Sequence, residues 1–111
     1  MGVLLPNDKH WLPPDWVAMG FFSDSLPYVP ETSPDLAEDI RFCIEAEVDT
    51  LDLRSGDRAK VEQLAALVER VFAHRGVLQG NDFHNPECFP FYMKNIEELK
   101  GLLLNLLDAM R

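Results

Sequence analysis

The densest set of reactive side chains in the sequence lies between positions 82 and 88, where Asp82, His84, Glu87 and Cys88 follow one another closely. Carboxylate, imidazole and thiolate are all zinc ligands, and a thiol near an imidazole is half of a nucleophile–base pair. Spacing completes neither chemistry. A closed metal site needs a further ligand such as the distant Cys43. A Cys88–His84 nucleophile needs a third group to orient the imidazole and an oxyanion site, and no glycine-rich or helix-start motif lies nearby. The competing reading is a capped turn. Asn81, Asp82 and Asn85 form turns, Pro86 holds its predecessor extended, and Phe83, Phe89 and Phe91 plug the core. Cys88 is then a small buried hydrophobe. His10 and His74 have no partner at a recognisable spacing, and the chain has no phosphate loop, dinucleotide fingerprint, H-E-x-x-H or nucleophile elbow. The expectation is a binding protein rather than an enzyme, with no catalytic residue, no metal and no cofactor.

Charge is the stronger signal. The chain carries a formal net charge of −9, which argues against nucleic acid or an anionic membrane surface as partner. Residues 34–56 hold seven acids against two bases, whereas residues 57–80 hold three against four. On a helix over 34–53, Glu38, Glu45, Asp49 and Asp52 recur at steps of 7, 4 and 3 and form one stripe. Arg41 and Glu45 make the one i,i+4 pair there. Like charges on one face repel and cost stability, but they speed encounter with a basic surface. These four carboxylates are therefore the expected partner-binding residues of a small acidic module. Such a module would neutralise or regulate a basic protein partner in the style of an immunity protein or antitoxin. Two other classes compete: a homodimeric chaperone or adaptor using a leucine-rich last helix, and a small hydrolase or metal protein using Asp82, His84 and Cys88.

The elements that must position these residues follow from periodicity. Tyr92, Ile96, Leu99, Leu103, Leu106 and Met110 recur at alternating steps of 4 and 3, which predicts a helix over 90–110 with a heptad stripe. Leu102, Leu104 and Leu107 fall outside that stripe and are the candidate homodimer contacts. Val61, Leu64, Ala65, Val68 and Phe72 predict a second helix over 57–75, capped by Asp57 and closed by Gly76. Ser33-Pro34-Asp35 starts a helix over 34–53, with Leu36, Ile40, Ile44, Val48 and Leu51 on its inner face. A three-residue connection would make 34–53 and 57–75 antiparallel neighbours. Residues 1–33 hold five of eight prolines and both tryptophans. They predict an irregular aromatic strap with at most one short helix from Pro14 to about Phe21. The predicted fold is thus an all-α three-helix bundle in a single domain of residues 1–111. The alternative is α+β, because Phe42, Ile44, Ala46 and Val48 also alternate and would suit a strand within 42–53. Two cysteines make no disulfide framework. No apolar run reaches membrane length, and no signal peptide is recognisable, so the expected compartment is the cytoplasm.

Overall fold

The computed structural model describes residues 1–111 and is mostly helical, with a small two-stranded parallel sheet. In chain order it comprises strand β1 (Gly2–Leu4), helices α1 (Asp15–Ser25), α2 (Val29–Thr32) and α3 (Ala37–Glu45), strand β2 (Thr50–Asp52), and helices α4 (Arg58–Leu78) and α5 (Phe89–Ala109). One cluster of 23 buried side chains draws on all of these elements, so they share a single core.

α5 follows its heptad stripe. Tyr92, Ile96, Leu99, Leu103 and Leu106 are buried, and Met110 packs partly against the core. α4 begins as its cap implies, with the Asp57 carboxylate accepting from the Lys60 N–H at 3.1 Å. It runs past Gly76 to Leu78, and the turn comes at Gln79, which takes φ 55°. Gly76 therefore does not end the helix, because no left-handed residue is needed there.

The predicted 34–53 helix is corrected. α3 ends at Glu45, and Thr50–Asp52 is a strand, so the chain is not all-α. The stop is a Schellman arrangement: the Val48 N–H reaches the Cys43 carbonyl at 2.9 Å and the Glu47 N–H reaches Ile44 at 3.3 Å. Glu47 holds the left-handed position at φ 54°, a place that glycine usually fills. The strand alternative is corrected too, since Phe42–Glu45 is helical and only the end of the 42–53 segment pairs. The connection from α3 to α4 is accordingly long and contains β2, and α3 packs on α1 and α2 rather than lying beside α4.

The strap is also corrected, being ordered into β1, α1 and α2. β1 pairs with β2 in parallel, Val3 opposite Leu51, and the Leu53 N–H extends the ladder to Leu4 at 2.8 Å. Val3 also exchanges two hydrogen bonds with Trp11, at 2.8 and 2.9 Å. Trp11 is buried edge-on against Phe21 and donates its indole N–H to the Asn95 carbonyl at 2.9 Å. Pro14 precedes α1 without interrupting it, and α1 runs four residues beyond Phe21. Pro14, Pro27 and Pro30 thus sit at helix starts, where a missing N–H costs nothing, while Pro6 and Pro13 lie in the irregular connection between β1 and α1.

Two backbone positions test this account. Gly2 has φ +148°, and a Cβ there would lie 2.0 Å from the Trp11 carbonyl oxygen. Gly2→Ala should therefore destabilise the protein by about 1–3 kcal/mol, through backbone strain and overlap. Glu47→Gly should act oppositely, stabilising by up to about 1 kcal/mol as left-handed strain is removed. Urea denaturation of both variants measures the two signs.

Candidate functional site

Arg75, on the last turns of α4, is the one buried charged residue, with 3% of its side chain exposed. Its partners come from three directions. Nε donates to Asp24 Oδ2 at 2.8 Å and one terminal nitrogen donates to Asp24 Oδ1 at 2.7 Å, a two-pronged contact with the end of α1. The same pair of terminal nitrogens reaches Asp82 at 2.6 and 3.2 Å. The fifth N–H goes to the Gln79 carbonyl at 2.9 Å. All five donors of the guanidinium are thereby spent. The guanidinium also lies over the Phe83 ring at 4.8 Å and the Tyr92 ring at 5.7 Å. Burial alone would lower the Arg75 pKa, but the bonds to Asp24 and Asp82 outweigh it and raise it. The hydrogen bonds from Arg75, and then its charge, hold the Asp82 carboxyl below its ordinary value.

Tyr92 closes the cluster from α5, donating its hydroxyl to Asp24 Oδ2 at 2.6 Å. Burial and then the adjacent Asp24 charge push its phenol well above the ordinary range. His74 Nε2 lies 3.9 Å from Asp24 Oδ1, and its Nδ1 is 3.1 Å from the Tyr28 hydroxyl. Arg75 and its two carboxylates carry a formal charge of −1.

Beside this cluster opens a cleft of about 480 Å³, lined by Trp16, Gly20, Ser23 and Asp24 of α1, Arg75, the loop residues Phe83, His84, Asn85 and Cys88, and Tyr92. Gly20 lets α1 approach α5, since a Cβ there would lie 3.2 Å from the Tyr92 ring. Its lining mixes the rings of Trp16, Phe83 and Tyr92 with the polar side chains of Ser23, Asp24, Arg75, His84 and Asn85. The 82–88 loop thus supplies Phe83, His84, Asn85 and Cys88 to the wall of this cleft. Asp82 turns to Arg75, and no three His, Cys, Asp or Glu side chains converge as a metal-binding group. Cys88 is half-buried at the cleft rather than sunk in the core, and Phe91 is 46% exposed beside Trp16 instead of plugging the core.

The acidic residues divide into two groups. Glu38 and Glu45 are exposed on α3, seven residues apart, with Phe42 between them. Asp49 lies in the connection, 2.6 Å from the Met1 amino group, and Asp52 lies on β2, 2.7 Å from Arg54. Those contacts lower each carboxyl to about 2: the bond to the amino group first for Asp49, the bonds to Arg54 first for Asp52. On α5, Leu102 and Leu107 are half-buried and Leu104 is 53% exposed.

Sequence reasoning missed Asp24, Arg75 and Tyr92 as a unit. Arg75 read as a cation at a helix end, and Tyr92 as one member of a stripe. A clue was available in Asp24, an acid flanked by Phe21, Phe22 and Ser25 with no base three or four residues away.

Arg75→Met should destabilise the fold by about 3–5 kcal/mol, because Asp24 is left buried against an apolar neighbour. Asp82→Asn should cost only up to about 1 kcal/mol at neutral pH, since 48% of the Asp82 side chain is exposed and water screens the pair. Asp82 titrates below its ordinary value, so its contribution is present above the unfolded pKa and disappears as pH falls through the lower folded one. Urea denaturation should therefore separate Asp82→Asn from the native protein at neutral pH and bring the two together in strong acid. No protein-family model, curated protein or solved structure matches the chain, and what the site can do follows from its own geometry.

Proposed function

We propose that the chain is a small cytoplasmic protein-binding module that neutralises or regulates a basic protein partner, in the manner of an immunity protein or antitoxin. The observation that carries this reading is the outer face of α3. Glu38, Phe42 and Glu45 stand at steps of 4 and 3 and share that face. Phe42 is 59% exposed, and Glu38, Asp39 and Glu45 are exposed without an ion-pair partner. An aromatic anchor within a charged rim is the usual anatomy of a specific interface. Carboxylates without internal partners break no existing ion pair when they meet a cation on another protein.

Asp49 and Asp52 play a lesser part in this proposal than their spacing suggested. Their existing ion pairs leave them as contributors to the surrounding negative field. In this reading α1, α4 and α5 form a three-helix bundle that backs α3 rigidly. The homodimer reading is weaker: of Leu102, Leu104 and Leu107, only Leu104 offers a second copy a mostly exposed side chain.

The partner is first isolated by affinity capture from the source cell, and binding kinetics are then measured with purified proteins. Reversing Glu38 and Glu45 to Lys should slow association about tenfold or more and flatten its salt dependence. Phe42→Ala should instead accelerate dissociation, by about tenfold or more for an anchor residue. Native-like rates in both variants would remove α3 as the interface.

A further inference from the structure

Trp16 and Phe91, each 46% exposed, lie against one another with centroids 5.8 Å apart where α1 meets α5. Trp16 also lines the cleft of about 480 Å³ beside Arg75, so apolar surface runs from the cleft out over this joint. The inner rings already have neighbours. The Arg75 guanidinium covers Phe83 at 4.8 Å and Tyr92 at 5.7 Å, and Trp16 stacks on Tyr92 at 6.4 Å. The cleft therefore offers an occupant ring edges and hydrogen-bonding groups rather than free ring faces. Ser23 on one wall and His84 and Asn85 on the other are exposed. Asn85 uses its carbonyl oxygen on the Glu87 N–H at 3.1 Å, which leaves its amide N–H groups for a ligand. A large aliphatic side chain makes no directional demand on ring edges. A peptide backbone brings both a donor and an acceptor to polar groups of this kind.

Both walls are acidic. α1 carries Asp15 and Asp24, residues 79–88 carry Asp82 and Glu87, and neither stretch has a Lys or Arg. The Met1 amino group meets Asp15 and the Arg75 guanidinium is shared by Asp24 and Asp82, so four carboxylates face two cations. Lys94, one turn beyond Phe91 on α5, does not close that gap. A second copy of the chain would bring a net charge of −9 to this rim, and like charge disfavours that occupant. We propose that the cleft and the Trp16–Phe91 joint dock a short linear segment of a partner protein, one large aliphatic residue flanked by Lys or Arg. The aliphatic side chain enters the cleft, the segment's backbone amides meet Ser23, His84 and Asn85, and its bases face Asp82 and Glu87. This surface shares no residue with the outer face of α3 and does not depend on it.

The test selects peptides from a random phage-displayed library on the immobilised full chain, then measures the synthesised peptides in solution. The selected sequences should share one large aliphatic residue with Lys or Arg close by. Replacing that residue by Ser should weaken binding about tenfold or more, as for an anchor in a pocket. Replacing the flanking bases by Gln should slow association about threefold or more and flatten its salt dependence. Trp16→Ala and Phe91→Ala should each weaken binding about tenfold, and peptide should shift the Trp16 indole resonance of the native protein. Failure to enrich any sequence would overturn the proposal, as would enrichment of acidic ones. So would peptides that leave the Trp16 resonance unmoved and bind both variants as tightly as the native protein. Binding lost in Phe42→Ala but kept in those two variants would overturn it by placing the peptide on α3. A peptide-free dimer abolished by Phe91→Ala would overturn it by giving the face to a second copy. The Trp16 resonance needs no variant, so it decides the matter even where a substitution perturbs folding.

Discussion

A buried guanidinium is costly unless every donor finds an acceptor, and that constraint organises one end of this molecule. Moving such an ion out of water costs several kcal/mol even after relaxation. Arg75 offsets this with five hydrogen bonds and two ring contacts drawn from α1, the loop after α4 and α5. No buried side-chain nitrogen or oxygen lacks a partner. The consequence is cooperative. Asp24 is held by both Arg75 and Tyr92, so displacing any one of the three leaves the others partly unsatisfied. The loop keeps its place because Asp82 and the Gln79 carbonyl are both committed to the same guanidinium.

How much of this was legible in the sequence depends on how far apart the cooperating residues lie. α5 and the body of α4 were readable because their determinants are local: a stripe at helical period and an aspartate cap. β2 was not, because three residues become a strand only when β1, nearly fifty positions earlier, supplies the pairing edge. The end of α3 escaped notice for a different reason. Its left-handed stop is built on Glu47, and a charged residue there carries none of the signal that glycine or asparagine gives. In the N-terminal segment the prolines argue against long elements, yet Pro14, Pro27 and Pro30 stand where short helices begin, and β1 depends on a distant pairing partner.

The candidate site shows the same limit more sharply. The loop from Asp82 to Cys88 was recognisable as a reactive cluster, and it does line the cleft. What it does there is set by Arg75 and Asp24, separated by 51 positions in the chain. Asp82 looked like a metal ligand or a turn former, and geometry makes it the second carboxylate on a buried cation. Likewise, Glu38 and Glu45 kept their shared face because a nine-residue helix suffices to align them, whereas Asp49 and Asp52 lost it once the helix stopped at Glu45.

Interior and exterior charges therefore follow opposite rules in this protein. Inside, one cation is matched by two carboxylates and a carbonyl, a phenol holds one of those carboxylates, and the match fixes the relative position of three helices and a loop. Outside, α3 carries Glu38, Asp39 and Glu45 against the single base Arg41, and the expected Arg41–Glu45 ion pair is not formed. The interior arrangement is a matter of stability, sensitive above all to the loss of Arg75 or Asp24, whereas the half-exposed Asp82 adds less. The exterior one contributes little to folding, since exposed charges interact weakly through water, and its repulsion is relieved only when something positive arrives. A protein built this way can alter its α3 surface freely while its cleft stays rigid. Substitutions on the outer face of α3 and substitutions around Arg75 should therefore act additively on stability.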